Sequence, residues 1–157
     1  MELSMKKKAL RKQKKVDRDA LTPSERGERS HDICEALWQM PVLQEAREVY
    51  CYAPIGSEID IWELAERLWA AGKRLAFPRV LGDGSEGMGV CEGNDRGELE
   101  EGAFRGQEPV MDGRIPVEWK GAPVLVPGVA FDVSGARCGY GKGYYDRYFA
   151  AHPELVR

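Results

Sequence analysis

"EVYCYAPIGSEIDIWELAERLWAAGKRLAFPRV", residues 48–80, sets two short runs of β-branched and aromatic residues around one helical stripe. The first run, 48–55, reads as a strand, because Val49, Tyr50 and Tyr52 suit a pleated, half-buried surface. Asp60 stands where a carboxyl can cap a helix, and Ile61, Leu64, Ala65, Leu68 and Trp69 follow at the spacing of a buried helical face. Gly72 occupies the C-cap position and 73–80 is a second strand. Strand, helix and strand in so short a span make a βαβ unit, which demands parallel pairing and a right-handed crossover. The expected fold class is α/β, a three-layer α/β/α domain over residues 1–157 with a mostly parallel central sheet.

On the N-terminal side, residues 5 to about 20 read as a helix with a sparse apolar face among many bases. Thr22-Pro23-Ser24-Glu25 has the form of a helix start, with a capping hydroxyl, proline in the first turn and a glutamate completing a capping box. Ile33, Leu37, Trp38 and Met40 carry that helix to Pro41, which stops it. On the C-terminal side, eight glycines from Gly82 to Gly106 break up residues 81–121. The expectation there is an irregular excursion or lid with short strands such as "MGVCE". "APVLVPGVAFD", 122–132, is a near-continuous apolar run, the pattern of a central strand buried on both faces.

With 43% apolar and 31% charged residues, the 157-residue chain has the composition of an ordinary globular domain. A net charge of −3 gives no global pull toward nucleic acid or an anionic membrane. Cations nevertheless crowd the start, from Lys6 to Arg18. No apolar run suits a bilayer, and the basic start is not followed by the apolar core of a secretory signal. Cys34, Cys51, Cys91 and Cys138 are scattered without a CxxC pair, the pattern of reduced thiols in a cytoplasmic protein.

"RCGYGKGYYDR", 137–147, follows the apolar run. Its three glycines remove side chains and permit positive φ, so successive N–H groups can turn toward an anion. Lys142 adds a charge, the helix read from Tyr144 adds its N-terminal dipole, and Asp146 is of the type that holds Mg²⁺ beside phosphates. The spacing matches neither GxxxxGK[ST] nor GxGxxG. Residue pattern alone leaves two readings open, a phosphate cradle and a plain turn before a terminal helix whose Tyr145 and Phe149 pack inward.

Extended backward to "VPGVAFDVSGARCGYGKGYYDRYF", the segment strongly resembles the signature of the 5-formyltetrahydrofolate cyclo-ligase family, with Cys138 in place of the usual leucine. "KKALRKQ" (7–13), "YAPIGSEIDI" (52–61) and "GKRLAFPRV" (72–80) resemble further family elements in the same order. The resemblance implies that Lys7, Lys8, Ala9, Leu10 and Arg11 bind ATP, together with Arg137, Cys138, Gly139, Tyr140, Gly141, Lys142, Gly143, Tyr144 and Tyr145. It implies folate contacts from Arg11, Ala53, Glu58 and the Tyr140–Tyr144 stretch, with Asp146 on Mg²⁺ and Arg79 a lesser anion ligand. Lys142, Arg137 and Lys8 would carry the catalytic charge.

The implied reaction is ATP- and Mg²⁺-dependent cyclisation of 5-formyltetrahydrofolate to 5,10-methenyltetrahydrofolate, with release of ADP and phosphate. Read alone, the N-terminal bases could equally be a solvated helix face, and Glu58 a cap of the next helix. The resemblance further implies C-terminal strands and a second acidic Mg²⁺ contribution beyond Arg157. The expectation is therefore a truncated domain, monomeric by family but open to self-association along an exposed edge, either active or reduced to a folate- or nucleotide-binding remnant. No nucleic acid, membrane or histidine role is expected.

Overall fold

The computed structural model describes residues 1–80, 87–102, 106–109, 117–141 and 143–157. Its elements run α1 (Glu2–Asp19), α2 (Pro23–Trp38), α3 (Pro41–Glu45), β1 (Glu48–Tyr50), α4 (Trp62–Ala70), β2 (Arg74–Val80) and β3 (Met88–Gly93). After a single 3₁₀ turn come β4 (Leu99–Gly102), β5 (Gly106–Pro109), β6 (Ala130–Phe131), β7 (Arg137–Cys138) and α5 (Tyr144–Ala151).

The βαβ unit forms as the local signals dictate. The Asp60 carboxyl accepts from Trp62 N–H at 2.9 Å to start α4. At its other end Gly72 has φ 83°, with Gly72 N–H donating to Trp69 O and Lys73 N–H to Leu68 O, the paired bonds of a Schellman stop. β1 and β2 pair in parallel, Val49 opposite Leu75. β1 is shorter than 48–55, because Pro54 has no N–H to donate and the chain turns at Gly56, φ 55°.

Two findings revise the sheet. Met88–Gly93 forms the short strand expected at "MGVCE", and it belongs to the main sheet: β3 pairs antiparallel with β2 from Leu75↔Gly93 to Val80↔Met88. The segment 122–132 does lie centrally, but it joins the main sheet only around Pro123 and Val124, its far end pairing as β6 in a separate hairpin. Tyr50 N–H donates to Pro123 O, Leu125 N–H to Tyr50 O, and on the far side Val124 N–H to Val156 O. The sheet is therefore mixed, parallel through its centre with an antiparallel strand at one edge.

Alternation along the strands assigns two cores. Val49, Cys51, Leu75 and Phe77 face a cluster completed by Cys34 of α2, Leu43 of α3 and Leu64, Ala65 and Leu68 of α4. Tyr50, Ala76, Val90 and Val124 face the opposite cluster, closed by Tyr145, Tyr148 and Phe149 of α5. Helices on both faces of one sheet give the expected three layers. α1 stands apart from both, with no buried residue. No helix among the described residues is long and apolar enough to cross a membrane.

Candidate active site

The signature segment is built on a hairpin. β6 and β7 pair as Ala130↔Cys138 and Phe131↔Arg137. Asp132 closes the turn between them, accepting from Ser134 N–H at 2.8 Å, Ser134 Oγ at 2.6 Å and Ala136 N–H at 3.0 Å. Those donors, the Ser134 hydroxyl first, hold the Asp132 carboxyl below its usual range.

From β7 the chain passes through the glycines. Gly141 has φ 99° and Gly143 φ 69°, so both adopt the left-handed backbone the cradle reading requires. Gly143 caps α5, whose first turn carries Asp146. Gly139 is small for another reason. A Cβ there would lie 2.7 Å from Arg137 Nη1, and one at Gly128 would lie 3.0 Å from Arg137 Cγ. The Arg137 side chain is laid between two glycines, donating to Pro127 O at 3.0 Å and to Asp146 Oδ1 at 3.1 Å. Its guanidinium also lies 5.6 Å from the Tyr145 ring centre.

The N-terminal helix reaches this loop. Arg11 Nε donates to Gly139 O at 2.7 Å, and a Cβ on Gly141 would meet the Arg11 guanidinium at 3.4 Å. Lys15 Nζ lies 5.8 Å from the Tyr140 ring centre, and Arg18 Nη1 donates to the Tyr140 hydroxyl at 3.4 Å. Positions 11, 15 and 18 fall on one face of a helix. Within α1 only Arg11 and Arg18 are half-buried, and every other residue is exposed. The helix is docked by cations, not by an apolar stripe.

Tyr140 carries the contact onward. Its hydroxyl donates to Glu58 Oε2 at 2.5 Å, while Ile55 N–H donates to Glu58 Oε1 at 2.8 Å. Burial, and next the bond to Glu58, raise the Tyr140 hydroxyl above its usual pKa. Glu58 is 6% exposed, one of two buried polar residues of the chain's described part. Capping of α4 belongs to Asp60, not Glu58.

Of the residues singled out from sequence, the structure thus brings together Arg11, Glu58, Gly139, Tyr140 and Gly141, with Arg137 and Asp146 paired alongside. Lys7, Lys8, Ala9 and Leu10 are exposed on α1. Lys7 and Lys8 lie one turn before Arg11, on its side of the helix. Cys138 and Tyr144 are half-buried, and Arg147 lies 5.0 Å from the Tyr144 ring centre. Ala53 is buried at 2% exposure, and Tyr145 is a member of the α5 core. Lys142 falls outside the described residues. Sequence reasoning missed Lys15, Arg18 and Ser57. The first two were visible as continuations of the Arg11 face, whereas nothing local marks Ser57.

A cavity of about 720 Å³ opens beside the hairpin, within the range of small-molecule sites. Arg137 and Asp146 line it among apolar walls that include Ile59, Val126 and Phe131. The donor set suits an anion and its counter-cation: guanidinium, left-handed glycine backbone, a helix start and one exposed carboxyl.

Residues 3–156 match the model of the 5-formyltetrahydrofolate cyclo-ligase family. Among curated proteins, the chain is 31% identical over 131 residues to the 5-formyltetrahydrofolate cyclo-ligase of Escherichia coli K12, spanning 83% of this chain and 72% of that one. The enzyme of the same name from Saccharomyces cerevisiae is 29% identical over 166 residues, spanning 95% and 78%. Among solved structures, the 5,10-methenyltetrahydrofolate synthetase of Aquifex aeolicus aligns with TM-score 0.75 and 33% identity, over 92% of this chain and 72% of that one. The Mycoplasma pneumoniae synthetase shares the fold, with TM-score 0.65 and 24% identity over 92% and 77%.

Proposed function

The chain belongs to the 5-formyltetrahydrofolate cyclo-ligase family, and on that premise we propose that it closes 5-formyltetrahydrofolate to 5,10-methenyltetrahydrofolate at the expense of ATP. The observation that carries this reading is the bond from Arg11 to Gly139 O, which joins the basic helix to the glycine loop across 128 positions. The two elements offering charge to phosphate meet in one place.

The chemistry has a definite need. A formamide carbonyl is a poor electrophile, and its oxygen is a poor leaving group. Attack of the formyl oxygen on the γ-phosphorus expels ADP and leaves a phosphorylated, iminium-like carbon. N10 of the folate then adds to that carbon, the C–O bond breaks and phosphate departs, while the N10 proton is lost to solvent. Such a sequence calls for alignment and charge neutralisation more than for a protein nucleophile.

The residues fit that demand. Arg11, Lys8 and Arg137 would pair with phosphate oxygens, and the backbone from Gly139 to Gly143 would approach them closely, with Lys142 supplying a further charge. Glu58 would accept from the donor-rich edge of the pterin once the Tyr140 hydroxyl moves aside. Asp146 would hold Mg²⁺, which when bound neutralises phosphate charge. Before ligand arrives, the Arg137–Asp146 pair keeps each group oriented toward the same cavity.

The direct test is the absorbance of 5,10-methenyltetrahydrofolate when 5-formyltetrahydrofolate, ATP and Mg²⁺ are supplied together. Product that depends on all three is the expected result. Its absence from folded protein that still binds both ligands would leave a binding module instead of an enzyme.

A further inference from the structure

Ser57 ties the end of α1 to the turn that carries Glu58. Its hydroxyl accepts from Arg18 Nε at 2.8 Å and donates to the Asp19 carboxyl. One helix end therefore uses both its donor and its acceptor capacity. The turn is compact: Glu58 N–H donates to Ile55 O at 3.1 Å, Ile55 N–H returns to Glu58 Oε1 at 2.8 Å, and Gly56 supplies φ 55°. It lies past the end of β1 at Tyr50, so the strand ladder does not hold it.

We propose that Arg18 and Asp19 are positioning residues for folate binding, acting through the Ser57 hydroxyl to fix the turn that aims Glu58. The inference rests on the reading of Glu58 as the folate ligand. A carboxyl discriminates a donor pair only while its own orientation is held, because binding otherwise has to immobilise it. Besides the Tyr140 hydroxyl, which the proposed ligand displaces, Ser57, directly before Glu58, ties the turn to α1 from outside. The same helix meets the backbone of the glycine loop through Arg11, seven residues or about 10 Å before Arg18 along its axis. Arg18 itself reaches that loop only at the Tyr140 hydroxyl, at 3.4 Å. Loss of the Ser57 tie should therefore touch folate and spare ATP.

The test is calorimetric titration of the full chain with 5-formyltetrahydrofolate and, separately, with ATP and Mg²⁺. Ser57→Ala and Asp19→Ala should each weaken folate binding about three- to tenfold and change ATP binding less than about twofold, the effect of one net hydrogen bond. Arg18 is left in place because it also donates to the Tyr140 hydroxyl of the glycine loop. Because both act through one hydroxyl, the double variant should be no weaker than the poorer single one. Ser57→Thr, which keeps the hydroxyl, should bind folate as the parent does. Unchanged folate affinity in Ser57→Ala overturns the proposal, as do additive losses or equal losses for both ligands, which would mean that α1 has undocked. Glu58→Gln separates the two levels. If it leaves folate affinity intact, or the parent binds no folate, the Glu58 reading fails and takes the proposal with it. If it weakens folate while Ser57→Ala does not, only the proposal falls.

Discussion

Arg11 Nε donates to the Gly139 carbonyl at 2.7 Å, and this bond anchors a helix that buries none of its residues. With so little apolar contact, α1 depends on a few polar ties, and elements of this kind open at low cost. Arg11→Ala should speed hydrogen exchange along α1 while leaving the melting temperature nearly unchanged. ATP affinity should fall by about 1.5–3 kcal/mol, the usual worth of a hydrogen bond to a charged group. Calorimetry with ATP and Mg²⁺ measures the second effect, and full retention of affinity would remove Arg11 from the phosphate site.

Gly141 is a loop position whose backbone disfavours a side chain. Its φ of 99° disfavours any L residue, and an added Cβ would come into van der Waals contact with the Arg11 guanidinium at 3.4 Å. Gly141→Ala should cost about 1–3 kcal/mol in loop strain. The chain can relieve it by flipping the loop out of the cradle, so ATP binding should suffer more than thermal stability does. Equal affinity in the variant would show that the left-handed backbone is not needed for the ligand.

How much of this could be read beforehand depended on how local the signal was. Asp60 and Gly72 bracket α4 within the sequence itself, and both perform the capping expected of them. The strand at "MGVCE" was legible but its place beside β2 was not, because Gly89 and Gly93 interrupt its alternation, although Met88 and Val90 face one core. The Arg137–Asp146 pair and the Tyr140–Glu58 bond join groups whose partners are set by the hairpin and the loop, not by spacing. Tyr145 lies inside the ligand motif, and its ring packs in the α5 core, as the alternative reading of that segment has it.

The four cysteines offer a probe of the loop. Cys34, Cys51 and Cys91 are at most 2% exposed, and burial raises the thiol pKa of Cys34 and Cys51, which suppresses the reactive thiolate. Cys138 is half-buried in β7, next to Gly139. A thiol reagent should modify Cys138 first in the native chain and the other three only on unfolding. On the proposed site, ATP with Mg²⁺ should slow that first reaction severalfold. Mass mapping of the labelled peptide checks the order, and early labelling of Cys51 would contradict the packing.

His31 bridges α2 and α4, its Nδ1 lying 2.9 Å from Glu63. The hydrogen bond to Glu63, and next its charge, raise the His31 pKa above 6.5. The pair therefore stabilises the fold fully below pH 6.5, and that contribution disappears as pH rises through the elevated folded value. Melting temperatures of parent and His31→Ala should differ most at pH 5.5–6 and converge above pH 8. Both groups are exposed, so the difference should be small and should shrink with added salt. A gap that widens with pH would reverse the assignment.

Asp146 meets Arg137 at 3.1 Å with its side chain 80% exposed, while that of Arg137 is 16% exposed. So exposed a carboxyl contributes little to folding through this pair. Asp146→Asn should therefore melt within a degree or two of the parent. Its proposed work lies elsewhere, since an amide oxygen is a far weaker partner than a carboxylate for a hard divalent cation. The Mg²⁺ concentration giving half-maximal product formation should rise at least about tenfold, with the KM for folate little changed. Arg137→Lys should show the converse pattern, because an ammonium lacks the planar fork with which Arg137 serves Pro127 O and Asp146 at once while still able to face a phosphate. There the KM for ATP should rise while the Mg²⁺ requirement stays near that of the parent. If the two substitutions instead shift the same parameter equally, the residues act as one structural pair and Asp146 is not the metal ligand.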